Sequence, residues 1–179
     1  MSRLVIGLGC EACGDDGVGP AVARAVRELR LPDVHVAAVE DPAELVPMWG
    51  ALDLVVVVDA ITAGGPPGSL TVLDLTARAE PDAGDGLAGA LVDDAWMRGG
   101  VGRYAFGLAA AVQIGRALHR LPSRLVLVGV EGSVFTPGAP LSPAVAGAVR
   151  PAQRAVAELV ALEPALAGGT LGPQTLERW

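Results

Sequence analysis

Leu4 to Gly19 reads LVIGLGCEACGDDGVG, and this stretch decides the fold. A short apolar run, Leu4-Val5-Ile6, ends in Gly7-Leu8-Gly9, and the adjacent acids Asp15 and Asp16 follow. From Val18 the apolar residues Val18, Val22, Val26 and Leu29 fall at helical spacing, with Pro20 in the first turn, where proline is tolerated. The reading is a buried strand that opens through a glycine-rich loop into an amphipathic helix. Two neighbouring carboxylates at the start of that helix repel each other, so they must be hydrated, hydrogen-bonded or metal-bound.

The same alternation continues along the chain. Val34–Val39 reads as a strand and Pro42–Gly50 as a short helix. Leu54–Val58 is an apolar, mostly β-branched run, the mark of a strand buried on both faces. Thr62 to Gly68, TAGGPPG, is a loop, and Ser69–Leu75 a further strand. Thr76 to Gly102 reads as a long surface loop with a short helix around Leu87 to Trp96. Phe106–Leu118 reads as a helix, Leu125–Val130 as a buried strand, and Ser142–Leu162 as a long helix that Pro151 kinks or splits. Strand–helix alternation predicts an α/β fold: a three-layer sandwich, with a mainly parallel twisted sheet covered by helices on both faces. One domain spans 1–167, and 168–179 reads as a poorly ordered tail.

In such sheets sites gather at the carboxyl ends of the strands. Asp15 and Asp16 follow the first strand, Asp59 ends the Val55–Val58 run, and Glu131 ends Leu125–Val130. Three strands therefore deliver acids to one rim. Of Asp15 and Asp16, one is expected to cap or order the local structure and the other to face the site. An acid such as Asp59, between a buried strand and a loop, serves either the site or the loop's backbone amides.

Composition bounds the function. The chain has 179 residues, 51% hydrophobic and 18% charged, enough for one proper core. Its net charge is −7 and its 13 basic residues are all arginine, which disfavours nucleic acid and anionic membranes as partners. No apolar run approaches the ~18 residues of a membrane span, and no signal peptide is evident, so a cytoplasmic location is expected. Two cysteines cannot build a disulfide framework and fit a reducing compartment.

Cys10-Glu11-Ala12-Cys13 is a CxxC, open to three readings: a redox pair, half of a soft-metal site, or an incidental pair. Neither His35 nor His119 is placed as its partner. Gly7-Leu8-Gly9-Cys10-Glu11-Ala12 formally matches the dinucleotide fingerprint, but Gly14-Asp15-Asp16-Gly17 puts negative charge where phosphate would lie. No GxSxG motif marks a nucleophilic hydrolase. Trp49, Trp96 and Trp179 read as packing or surface contacts.

Three blocks, in order over residues 3 to 160, resemble the hydrogenase maturation proteases, the endopeptidases that process nickel-iron hydrogenase large subunits. They are GLGCEACGDDGVGPAVARAV, DLVVVVDAITAGGPPGSLTVLDL and LVLVGVEGSVFTPGAPLSPAVAGAV. The resemblance implies a metal-dependent endopeptidase that removes a C-terminal extension from the large-subunit precursor after nickel insertion. Nickel would be carried by that precursor, the expected partner. The family's metal-binding acids fall on Asp16 and Asp59, which the resemblance makes both metal ligands and catalytic residues. Its histidine position falls on Tyr104, a weak ligand because a phenol ionises near pH ~10. Cys10 stands at the usual asparagine. These departures imply either a divergent member, with Cys10 or Cys13 as substitute ligand, or a non-proteolytic maturation chaperone or adaptor of the same fold.

Overall fold

The structure is a computed structural model that describes residues 2–76 and 107–166. The elements run β1 (Arg3–Leu8), a 3₁₀ turn (Gly14–Gly17), α1 (Val18–Glu28), β2 (Val34–Val39), a second 3₁₀ turn (Pro42–Glu44), α2 (Leu45–Met48), β3 (Leu54–Ile61) and β4 (Leu70–Asp74). The next described elements are α3 (Leu108–Ala117), β5 (Arg124–Glu131) and α4 (Pro143–Leu166). The sheet order is β2-β1-β3-β5-β4. All neighbours are parallel except β4, which runs antiparallel to β5 at the edge.

Alternate side chains of the central strands feed two cores. Val5, Val56, Val58, Val126 and Val128 face α1 and α4 on one side. Leu4, Ile6, Val55, Val57, Leu125 and Leu127 face α2 and α3 on the other, around a fully buried Trp49. This two-sided burial is why β3 and β5 read as continuous apolar runs; each buried valine or leucine stabilises the fold by about 2 kcal/mol.

Helix α1 lays Val18, Val22 and Val26 against the sheet and ends where Arg30 adopts a left-handed φ of 48°. Helix α4 is not split: it runs unbroken through Pro151. The carbonyl that Pro151 leaves without a helical donor belongs to Gly147, on the exposed side of the helix, where water can satisfy it. Gln153 Nε2 ties α4 to α1 by donating to the Ala25 carbonyl at 2.6 Å. The long loop expected from Thr76 to Gly102, with its helix at Leu87 to Trp96, lies almost wholly outside the described residues, as do Tyr104 and the tail at 168–179.

Candidate functional site

The rim is built at the carboxyl ends of β1, β3 and β5. After Leu8, Gly9 takes a φ of 127° in the region open to glycine, and a Cβ there would strike the Asp16 backbone. The glycine therefore lets the strand end fold back upon the turn that carries both acids. Gly7 and Gly19 are also closed in by this chain's own backbone, because β1 and α1 touch there. The space a side chain would take beside these glycines is filled by the chain's own backbone, so the tight turn and the close strand–helix packing account for them.

The two neighbouring acids have separate tasks. Asp15 is fully buried and accepts from the amides of Ser133 (2.8 Å), Val134 (2.9 Å) and Ser142 (2.7 Å) and from the hydroxyls of both serines. Burial alone would raise its carboxyl, but these donors outweigh it and hold the group below its ordinary value. Asp15 orders the segment between β5 and α4. It does not cap α1, whose N-cap is Gly17 with no side-chain bond.

Asp16 turns the other way and is half-buried. Its Oδ2 accepts from the Cys10 amide at 2.7 Å. Burial raises its carboxyl above the ordinary value; the Cys10 amide opposes this, and the nearby charge of Glu40 adds to it. Asp59, half-buried two residues before the end of β3, pairs in register with Gly129 of β5. Burial and then the charge of Asp16 push its carboxyl up to about 8, against the stabilising Ala60 amide. Among the described residues, no arginine or histidine forms an ion pair with Asp16 or Asp59. Two coupled carboxylates, with one proton held near neutral pH, form a site that a cation or a donor group would relieve.

Glu131, the third rim acid, is buried and serves the loop. It accepts from the amides of Ala63 (3.0 Å) and Gly64 (2.8 Å), shaping TAGGPPG beside the acid pair. The amide-binding role considered for Asp59 therefore belongs to Glu131. Sequence reading passed over Glu40, although it directly follows β2, as Glu131 closes β5, and its charge reaches Asp16.

Cys10 requires a correction. It is bonded to Cys13 in a disulfide, with a Cα–Cα distance of 5.4 Å, so it is not a free thiolate that could stand in as ligand, and Cys13 is not one either. Both histidines are exposed and lie away from the rim: His35 pairs with Leu4 early in β2, and His119 precedes β5. Among the described residues, no group of three histidines, cysteines or acids could hold a metal ion. The position expected to supply a third ligand, Tyr104, is not among them. No described helix is long and apolar enough to cross a membrane.

No family model matches the chain, nor does any curated protein. Solved structures do. An endopeptidase from Escherichia coli is 25% identical, with 98% of this chain and 99% of that one covered and a TM-score of 0.71. The hydrogenase maturating endopeptidase HybD from E. coli is 23% identical, covering 93% and 94%, with a TM-score of 0.67. A hydrogenase 2 maturation peptidase from a Thaumarchaeota archaeon is 24% identical, covering 90% and 99%, with a TM-score of 0.60. Near-complete coverage in both directions shows that the chain shares the overall fold of these endopeptidases, and at that level the resemblance to the hydrogenase maturation protease family read from three sequence blocks is borne out.

Proposed function

We propose that this chain acts in hydrogenase maturation as an endopeptidase, removing a C-terminal extension from a nickel-iron hydrogenase large-subunit precursor once nickel is in place. The observation that carries the reading is the half-buried pair Asp16, on the 3₁₀ turn that follows β1, and Asp59, near the carboxyl end of the adjacent parallel strand β3, without a cationic partner among the described residues. Two carboxylates are too few to hold nickel alone, and oxygen donors are not its preferred set. They fit a metal that arrives already coordinated by the precursor and accepts Asp16 and Asp59 as additional ligands. Bound nickel would supply the positive charge that polarises a peptide carbonyl.

The chain's own residues do the rest. The Cys10 amide aims Asp16, and Asp59 holds a proton that a cation would displace. Glu131 holds the start of the glycine-proline loop that follows Asp59. The adaptor alternative draws on the sequence itself, which carries Tyr104 at the family's histidine position and Cys10 at its asparagine.

The test is cleavage of nickel-loaded precursor by the wild-type chain and by D16N/D59N, followed by mass spectrometry of the large subunit. The wild type should release the extension and the double variant should not, while circular dichroism shows the fold retained. Equal processing by both sinks the role of the pair. Binding of precursor without cleavage by the wild type selects the adaptor.

A further inference from the structure

The geometry points to the Cys10–Cys13 disulfide as a reversible thiol–disulfide site that controls how firmly Asp16 is held, with a small cellular dithiol as its reductant. The two cysteines bracket Glu11-Ala12, both exposed, and are themselves only half-buried, so a thiolate can reach the bond. The bridge joins cysteines three positions apart and closes a four-residue turn, the kind of loop in which a cross-link restrains the unfolded chain least. Two packed cores already hold the fold, so the bridge acts locally.

Its local targets are specific. The Cys10 amide is the donor to Asp16 Oδ2, and the Cys13 amide closes the turn on the Cys10 carbonyl at 3.1 Å. On the far side the turn is moored: Gly14 N–H donates to Ala139 and Gly138 N–H to Ala12. The Cys10 end is held by the neighbouring Gly9 N–H on the Val39 carbonyl at 3.0 Å and by the bridge itself, and it is the end whose amide holds Asp16.

The exchange balances. A reductant thiolate attacks one sulfur, forming a mixed disulfide and releasing the other cysteine as thiolate. The reductant's second thiol then displaces the remaining cysteine. Two electrons pass to the pair, two protons complete the two thiols, and the reductant leaves as its own disulfide. With the bridge open, the Cys10 amide exchanges more readily with water and Asp16 loses its fixed donor. The effect on processing rests on the function proposed above; the switch itself does not.

The full chain is equilibrated in buffers of graded reduced-to-oxidised dithiothreitol, trapped with an alkylating agent and weighed. Two labels should appear together in one two-electron step. Hydrogen exchange over residues 9–17 should then be ~5-fold or more faster in the reduced chain, and equally fast in C10S/C13S whatever the buffer. Full labelling even under oxidising conditions, or exchange rates within ~2-fold between the two forms, overturns the proposal. Neither readout uses precursor, so a chain that switches but does not cleave refutes the protease reading alone.

Discussion

Asp15 and Ser142 stand 127 positions apart in the chain, yet the Asp15 carboxylate accepts both the amide (2.7 Å) and the hydroxyl (3.1 Å) of Ser142. With Ser133 and Val134 also donating, every neighbour offers hydrogens and none needs one. Asp15→Asn places an NH₂ against N–H donors and removes the charge. The variant should lose about 3 kcal/mol at neutral pH, measured by urea unfolding. Because the folded group titrates below its reference value of 3.8, its contribution is present above 3.8 and lost as pH falls through the lower folded value. The acid limb of the wild-type stability curve should therefore be steeper than that of the variant.

Asp59 gives the opposite slope. Its carboxyl sits at about 8 in the folded chain against 3.8 as reference, so the folded state binds the extra proton throughout that window. The stability it contributes is full below 3.8 and declines as pH rises towards and through about 8. Asp59→Asn cannot titrate. Between about pH 5 and pH 9 its melting temperature should fall less than that of the wild type, with a gain of roughly 2 kcal/mol at the alkaline end once solvent screening of a half-buried group is allowed for. Parallel curves for the two proteins would mean that Asp59 ionises normally.

The sheet was legible because central strands buried on both faces must be apolar throughout, as Val55–Val58 and Leu125–Val128 are. The rim was legible for a related reason: an acid that ends such a run cannot be there for packing. The division between Asp15 and Asp16 was visible only as a choice, because the donors that decide it come from residues 133 to 142. Likewise, only tertiary pairing could show that Glu131, and not Asp59, holds the loop amides. The pairing of Cys10 with Cys13 was one of several readings that the CxxC spacing allowed. Nothing in the short, half-buried β4 told its antiparallel direction.

Glu131 uses its two oxygens on two different amides, Oε2 on Ala63 and Oε1 on Gly64. Glu131→Gln keeps the shape but can accept through only one oxygen, leaving one loop amide facing an NH₂. The loss should be about 1–2 kcal/mol globally, with faster hydrogen exchange confined largely to residues 62–68. If the loop also seats the peptide, KM for precursor should rise while kcat holds. Unchanged exchange across 62–68 would show that the loop is ordered by other contacts.

Gly19 is where α1 crosses the sheet next to the acid-bearing turn. A Cβ at this position would lie 2.7 Å from the Leu8 nitrogen and 2.5 Å from the Val58 carbonyl oxygen, both backbone atoms of central strands that cannot move aside. Gly19→Ala must therefore lift the start of α1 off β1 and β3, at a cost of about 2–3 kcal/mol. The same displacement acts on Asp16, three residues earlier, so precursor processing should fall further than the lost stability explains. Gly50→Ala is the matched control: a Cβ there meets nothing within 4 Å, and its stability should stay within about 0.5 kcal/mol of the wild type. Urea midpoints for the pair decide the matter. Similar midpoints for G19A and G50A would mean that the close helix–sheet crossing does not limit stability, and that the turn carrying Asp16 is positioned from its loop contacts alone.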